Sequence, residues 1–296
     1  MWRKLFNYEA GMLPVQTYYP QNFLLRKHIS YYYFLETSSP QFNSTYYAFP
    51  NTLNSLNIYK HAKSVISGHT VITQNYPNNK YLLTLQGHYD QPLLVQLKGI
   101  LNKITIVFKP LGLNCFIRRQ FFDVANKPTQ FFKEWDCGEK YPVFLDDFFN
   151  CQTKEQQLQT LESYLLSVYK PIEQESILNY AIDQLSNFED QITIGEVARR
   201  IDMNERTFNR LFEKHLGISP VKYRKIARFR HSLTNKVSSE KFKKLTEIGY
   251  ASNFYDQSYF IRVYNKLAGS NPKAFFKSIN KIADDNLVLR FISNLK

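Results

Sequence analysis

The side chains best suited to chemistry in this sequence are basic and amide residues that recur in two segments. "RTFNRLFEKHLGISPVKY" at 206–223 and "SYFIRVYNKLAGSNPKAFF" at 258–276 share one skeleton at an offset of 52 residues. Arginine can donate two parallel hydrogen bonds to guanine, asparagine can pair in the same way with adenine, and lysine neutralises phosphate. These residue types therefore suit double-stranded DNA as a partner. The equivalent positions are Phe208/Phe260, Arg210/Arg262, Lys214/Lys266, Gly217/Gly269 and Pro220/Pro272.

The positive charge of the chain is concentrated around these two segments. The 296 residues carry a formal net charge of +13. Residues 190–281 hold 19 Lys and Arg against 8 Asp and Glu, whereas residues 1–189 hold 17 against 15. A basic surface on one compact unit is typical of proteins that bind polyanions, nucleic acid first among them. A merely solubilising basic surface is the alternative that charge alone leaves open.

The local signals place each segment on the second helix of a helix-turn-helix unit. In the first copy, "TIGEVARRI" opens on Thr193 with Glu196 three positions later, which predicts a capped first helix. Asn204 is the N-cap of the next helix and Gly217 its left-handed stop. In the second copy, Asp256 takes the capping role. Two short helices joined by a tight turn define the motif.

The stretch between the copies predicts a stiff connection. Ser219 is an N-cap residue and Pro220 suits the first helical position. A helix of roughly 15 residues, reaching Asn235, would be about 23 Å long. Two units on such a strut can enter major-groove segments about 34 Å apart, as a dimer of single units does.

Residues 192–280 resemble the DNA-binding domain of the AraC/XylS family of bacterial transcription regulators. The resemblance implies sequence-specific DNA binding, activation of transcription as the default, and RNA polymerase as a partner. A weaker resemblance links "ITIVFKPLGLNCFI" at 104–117 to a motif in sensory domains of some members. The family pattern is carried by Ile248-Gly249, Asn253-Phe254, the run "DQSYF" from Asp256, Arg262, Tyr264, Lys266, Gly269 and Pro272.

Three positions depart from the family pattern. Asp202 and Asn253 stand where the turn glycines are expected, and these two residue types best tolerate left-handed geometry. The turn is therefore expected to survive in both copies. Gly249 replaces an alanine, which loosens its helix by up to about 1 kcal/mol.

The resemblance also assigns the residues that would contact DNA. Phe208, Leu211 and Phe212 are expected to point inward, leaving the start of the first recognition helix to face the bases. Arg210 and Arg262 have an alternative role as ion-pair partners of Glu196 and Glu247, and each lysine has one as a solvated surface charge. The expected base-reading residues are Arg206, Asn209, Arg210, Gln257, Ser258, Ile261 and Arg262, and the expected phosphate contacts are Lys214, Lys225, Lys266 and Lys273.

The first half of the chain predicts a β-rich domain that senses a small molecule or forms a homodimer. Runs such as "YLLTLQ" and "PLLVQL" alternate with turn residues, and a helical pattern begins near Leu145. The aromatic runs "SYYYFLE" and "STYYAFP" suit either a ligand pocket or core packing. The predicted fold is α+β, with residues 1–170 β-rich and residues 171–296 an all-α domain of two helix-turn-helix units. One more short helix is expected after residue 281.

Composition argues against several other classes. Cys115, Cys137 and Cys151 form no C-x-x-C pair, and the six histidines show no zinc-binding spacing, so neither cofactor, metal nor catalytic residue is expected. No apolar run reaches the roughly 18 residues of a membrane helix, and the first residues resemble no targeting signal, which predicts a cytoplasmic protein. Two alternatives remain: an alkylation-repair enzyme fused to the same DNA-binding domain, and a ligand-free dimerising adaptor.

Overall fold

The structure is a computed structural model that describes residues 13–135, 140–190, 192–238, 245–254, 256–282 and 287–292. Two six-stranded sheets and a set of helices make up this part of the chain. The fold is α+β, as the sequence predicts. Cys137 lies outside the described residues.

The N-terminal region, which extends to Val168, contains ten of the described strands. Their order is β1-β2-β9-β4-β7-β10 in one sheet, and β3-β8-β6-β5 in the other, whose remaining two strands come from the carboxy-terminal end. Pairing is antiparallel except between β6 and β8. The strands are β1 Val15–Tyr18, β2 Ile29–Glu36, β3 Asn43–Ala48, β4 Asn54–Lys60, β5 Ala62–Ser67, β6 Thr70–Asn75, β7 Tyr81–Gln86, β8 Leu93–Lys98, β9 Asn102–Phe108 and β10 Thr129–Phe131.

Four α-helices accompany these strands. Alternate residues of the first sheet, such as Ile104 and Ile106, pack with Phe148 and Leu161 in one core. The opposite face of this sheet meets the second sheet, because Leu35 and Tyr59 share a core with β8 residues. The aromatic runs of the sequence are mainly packing residues in these cores. The helices are α1 Phe23–His28, α2 Phe121–Val124, α3 Lys140–Asn150 and α4 Lys154–Val168.

The helical region begins at Glu175. Its helices follow the caps that the sequence predicts: the capping box of Thr193 and Glu196 is formed, and Asn204 caps the helix that follows. These helices are α5 Glu175–Ser186, α6 Ile194–Arg200, α7 Glu205–Leu216, α8 Pro220–Ser238, α9 Leu245–Ala251, α10 Gln257–Ala268 and α11 Pro272–Ser278.

The connecting helix α8 is longer than expected, with 19 residues, and it belongs to two cores. Tyr223 and Ala227 pack with α5, α6 and α7. Phe229 and Leu233 pack with α10 and α11. One rigid helix therefore carries both helix-turn-helix units.

The end of the chain differs from the expectation of a further helix. Strand β11, Asn280–Ile282, pairs with strand β12, Leu287–Phe291, which lies against β3 of the N-terminal region. Arg290 lies 4.8 Å from the ring of Tyr47 on that strand. The prediction of a helix is wrong because an apolar strand here completes a sheet edge that local sequence does not reveal.

The aromatic packing of α8 predicts a large stability effect at Phe229. This side chain is fully buried, with ring centroids 5.0 Å from Tyr264 and 6.0 Å from Phe275. Phe229→Ala should lower the free energy of unfolding by about 3–5 kcal/mol, through lost burial and the remaining cavity. Urea denaturation followed by circular dichroism measures the change.

The matched control is Val221→Ala on the same helix, where the side chain is 62% exposed. This change should alter the free energy of unfolding by no more than about 0.5 kcal/mol. Equal destabilisation by the two variants would contradict the assignment of Phe229 to a shared core.

Candidate nucleic-acid interface

The first helix-turn-helix unit is formed by α6 and α7. Asp202 makes the turn with φ +54, so the predicted left-handed geometry is confirmed at this position. Asn204 accepts a hydrogen bond from the backbone of Thr207 at 2.9 Å. Phe208 and Phe212 are buried and Leu211 is half-buried, which fixes the inward face of α7.

The second unit, α9 and α10, repeats this construction. Asn253 has φ +62, confirming the same expectation, and its amide donates to the carbonyl of Phe188 at 3.0 Å. Asp256 caps α10 by accepting a hydrogen bond from the backbone of Ser258 at 2.7 Å. Gly217 and Gly269 end α7 and α10 with φ +72 and +68. The two recognition helices therefore begin and end by the same devices.

The start of α7 faces solvent with most of the expected base-reading residues. Arg206 and Arg210 are exposed. Asn209 is half-buried, and its amide donates to the carbonyl of Glu205 at 2.7 Å. The side chains of Arg206 and Arg210 are thus open to solvent, whereas the amide of Asn209 is engaged in an intrahelical hydrogen bond.

The start of α10 is exposed in the same way. Gln257, Ser258, Ile261 and Arg262 all face solvent. The guanidinium of Arg262 lies 3.5 Å from the carboxylate of Asp256 and 5.9 Å from the ring of Tyr259. An exposed pair of this kind contributes little to stability, so the contact between Arg262 and Asp256 can be broken at a small cost in free energy.

The ion pair observed for Arg262 is made with a different residue from the one expected. Arg262 pairs with Asp256, the cap of its own helix. Glu196 is occupied by Thr193, whose backbone and hydroxyl donate at 2.6 and 2.7 Å and hold the pKa of Glu196 below its usual value. Glu196 makes no ion pair with Arg210 within the described part of the chain. The equivalence of Arg210 and Arg262 therefore does not come from a shared structural bridge.

The four expected phosphate contacts have different surroundings. Lys214 and Lys273 are exposed. Lys225 is half-buried, and burial, followed by the neighbouring Lys266, lowers its pKa. Lys266 forms an ion pair with the N-terminal region, with its ammonium 2.8 Å from the Asp90 carboxylate.

Two charged residues near Lys266 were not assigned a role from the sequence. Lys222 is exposed on α8 and lies close enough to Asp90 to lower the pKa of that carboxyl, after the larger effect of Lys266. Lys222 lies three positions before Lys225 on α8, and this spacing in the sequence already indicates that the two lysines are neighbours on one helix face. Asp90 offers no such signal, because it follows β7 in a turn more than 170 residues before Lys266.

The space between the two sheets of the N-terminal region contains polar side chains. Lys103 is buried, and its ammonium donates to the hydroxyl of Tyr33 at 3.4 Å and to the amide oxygen of Asn57 at 3.3 Å. The hydroxyl of Thr105 donates to the same Asn57 oxygen at 2.8 Å. Polar groups that are buried in this way need hydrogen-bond partners, which this set supplies to its own members.

One cysteine has a basic neighbour. The Sγ of Cys115 lies 3.4 Å from Nδ1 of His28, which is itself 3.7 Å from the carboxylate of Glu175. Burial raises the pKa of Cys115 to about 12 and lowers the pKa of His28. The reactive form of cysteine is the thiolate, so this environment opposes the methyl-accepting role that a repair enzyme requires.

The described residues contain no cluster of three His, Cys, Asp or Glu side chains that could hold a metal ion. None of the helices in this described part is long and apolar enough to cross a membrane.

The paired units define the class of this carboxy-terminal part of the chain: a DNA-binding domain of the kind found in transcription regulators. The family model of a helix-turn-helix domain matches residues 197–278. This segment is an AraC-type helix-turn-helix domain, as the sequence indicates.

Known proteins are similar to the chain over different lengths. An uncharacterized HTH-type transcriptional regulator from Bacillus subtilis (strain 168), YtdP, is 29% identical over 85 residues, which cover 29% of this chain and 11% of that protein. ToxT from Vibrio cholerae, in a crystal structure with a bound unsaturated fatty acid, gives a TM-score of 0.43 at 14% identity over 83% of this chain and 95% of that chain. A second ToxT structure gives 0.44 at 13% identity over 88% and 98%. TM-scores of this size mark a loose likeness, from which no ligand of this chain follows.

The burial of Cys115 predicts a thiol that does not react in the folded protein. In a Cys137→Ser/Cys151→Ser variant, Cys115 is the remaining cysteine. Its high pKa and its enclosure should prevent modification by a colorimetric disulfide reagent at pH 8 until denaturant is added. Absorbance of the released chromophore measures the reaction.

The control is a Cys115→Ser/Cys137→Ser variant, which retains the partly exposed Cys151 and should react without denaturant. Fast stoichiometric modification of Cys115 in the native protein would favour the repair-enzyme alternative.

Proposed function

We propose that the protein is a sequence-specific DNA-binding transcription regulator that inserts α7 and α10 into successive major-groove segments. One observation carries the proposal: two helices with equivalent caps and stops bury their apolar faces and expose arginine and polar residues at their starts. The beginning of a recognition helix is the part that contacts base edges in this motif. The regulator named among the similar proteins supports the same class of function.

Base reading is assigned to the exposed residues of the two helix starts. Arg206 and Arg210 are the residues of α7 that can grip guanine bidentately, each with about 1–3 kcal/mol of discrimination. Asn209 would read adenine after releasing its bond to Glu205. On α10, Arg262 takes the guanine-reading role, Gln257 and Ser258 supply polar contacts, and Ile261 meets a thymine methyl.

Affinity without sequence information is assigned to the lysines. Lys214 and Lys273 are exposed and have no ion-pair partner among the described residues, so they are ready to contact phosphate. Lys225 joins them from α8. Contacts of this kind fix the register of the protein on the duplex and make its affinity depend on salt.

The finer features of regulation rest on family resemblance. They are activation of transcription and RNA polymerase as a partner. A small-molecule effector, a homodimer and a division of the chain into residues 1–170 and 171–296 are proposed from the sequence pattern of the two halves. The ligand-free adaptor is the alternative to this part of the proposal.

Selection of bound sequences from random double-stranded DNA, using the full chain, tests the proposal and reads the site. On the selected DNA, the double variant Arg206→Ala/Arg262→Ala should lose specific affinity by roughly 2–6 kcal/mol, since each arginine contact is worth about 1–3 kcal/mol. Fluorescence anisotropy measures affinity for the selected sequence and for an unrelated sequence.

The matched control removes two exposed arginines of the N-terminal region, Arg26→Ala/Arg118→Ala, which changes the net charge equally. Its preference for the selected sequence should be that of the unaltered protein. Retained preference in the Arg206/Arg262 variant, with its circular dichroism unchanged, would contradict the assigned base contacts.

A further inference from the structure

The two recognition helices are both held at their carboxy-terminal ends by the N-terminal region. A Cβ atom on Gly217, at the end of α7, would lie 3.1 Å from the ring of Phe121 in α2. A Cβ atom on Gly269, at the end of α10, would lie 3.2 Å from Pro92. The equivalent stops of the repeat therefore rest on two different elements of the same region, while the starts of both helices remain exposed.

The contact with α10 includes a charged group. The Asp90 loop, residues 87–92 between β7 and β8, brings the Asp90 carboxylate 2.8 Å from the ammonium of Lys266. Both side chains are about half exposed, 47% for Asp90 and 49% for Lys266. The pair is therefore accessible to solvent and to a competing anion.

Three lysines lie near Asp90, and we define Lys222, Lys225 and Lys266 as the lysine cluster. The hydrogen bond from Lys266 and, to a lesser extent, the charge of Lys222 lower the pKa of Asp90, so the carboxylate is ionised at neutral pH. After the larger effect of burial, the charge of Lys266 lowers the pKa of Lys225 and the charge of Asp90 raises it. One carboxylate thus neutralises part of a cationic surface that extends from α8 to α10.

A DNA phosphate would need the same position on Lys266. Phosphate and carboxylate are both acceptors that form short charge-assisted hydrogen bonds with an ammonium. The charge of Asp90 also repels a phosphate that approaches the lysine cluster. Lys266 can therefore contact a DNA phosphate only when the Asp90 carboxylate has moved away from it.

We propose that Asp90 acts as an internal substitute for a DNA phosphate, holding Lys266 and restraining the second helix-turn-helix unit until a movement of the Asp90 loop displaces it. This inference rests on the proposed DNA-binding function and names a regulatory contact within it. It makes Asp90, a residue outside the DNA-binding domain, a determinant of DNA affinity. It also changes the expected role of Lys266, whose ammonium can reach a phosphate only after Asp90 has moved away.

The test compares the salt dependence of DNA binding for the full-length protein and for Asp90→Asn. Each phosphate contact adds about 0.9 to the magnitude of the slope of log affinity against log salt concentration. Release of Lys266 should increase this magnitude by about one and tighten binding at 100 mM salt by roughly two- to fivefold, the range expected for an exposed pair. The probes are the DNA recovered by selection and a random-sequence duplex of equal length.

The matched control is Asp146→Asn, which removes an exposed carboxylate that lies 2.6 Å from Lys80 in the N-terminal region. It changes net charge by the same amount, so an effect of overall charge would appear in both variants. The slope for Asp146→Asn should equal that of the unaltered protein.

Lys266→Ala supplies a second arm that leaves Asp90 in place. In the unaltered background this change should leave the slope unchanged, because Lys266 is held by Asp90. In the Asp90→Asn background it should reduce the magnitude by about one. Thermal unfolding checks that each variant is folded, and the Lys266→Ala arm gives a result even where Asp90→Asn fails to fold.

The outcomes separate the two levels of the proposal. DNA binding with the same slope in Asp90→Asn as in the unaltered protein overturns the role of Asp90 and leaves the DNA-binding function standing. A reduced slope for Lys266→Ala in the unaltered background also overturns it, because Lys266 would then already contact phosphate. Failure of the unaltered protein to bind either duplex overturns the proposed function and the inference with it.

Discussion

The structure depends on one helix that is shared by two hydrophobic cores. Tyr223 and Phe229 are six positions apart on α8, about 9 Å along the helix axis, and they pack in different helix-turn-helix units. A rotation of one unit relative to the other would have to break the helix or expose one of these aromatic side chains. The two recognition helices are therefore fixed relative to each other by packing, as the proposed insertion of both into DNA requires.

The N-terminal region adds a second set of constraints on the same units. Arg230 of α8 donates to the carbonyls of Pro50 and Phe49 at 2.8 and 3.3 Å. The amide of Asn114 donates to the carbonyl of His215 at the end of α7 at 2.9 Å. Strand β12 pairs with β3 after the chain has passed through both units. The DNA-binding units are thus attached to the N-terminal region at several points, so a change inside that region can reach the reading surface through direct contacts.

The Asp90 loop lies next to the contacts that support both recognition helices. His88, in the same loop, is buried with its ring centroid 6.2 Å from that of Phe121, which supports the end of α7. Pro92 and Asp90 support the end of α10. A displacement of this one loop would therefore disturb the support of both recognition helices.

The caps and stops were predictable because they are local. Thr193, Asn204 and Asp256 cap helices through backbone groups two or three residues away, and Gly217 ends a helix because its φ is positive. The strand of "YLLTLQ" was predictable from its branched and aromatic residues.

The features that sequence reasoning missed are non-local or depend on a choice between neighbours. The pairing of β12 with β3 joins residues more than 230 positions apart, and the Asp90–Lys266 pair depends on how two regions dock. Arg262 pairs with Asp256 because that cap lies on the same exposed end of α10. The amide of Asn209 bonds to the backbone of its own helix, a competition that residue type alone does not decide.

The central claim, that one chain holds two recognition helices at a fixed separation, is tested most directly by changing the spacing of the selected DNA. Anisotropy would compare this DNA with a version in which half a helical turn, roughly five base pairs, is inserted between the two contacted segments, and with a full-turn insertion. The shared helix predicts that both insertions lower the affinity for the selected DNA, because a single rigid chain can neither twist nor stretch to let both units keep their contacts. Undiminished affinity for either insertion would contradict it.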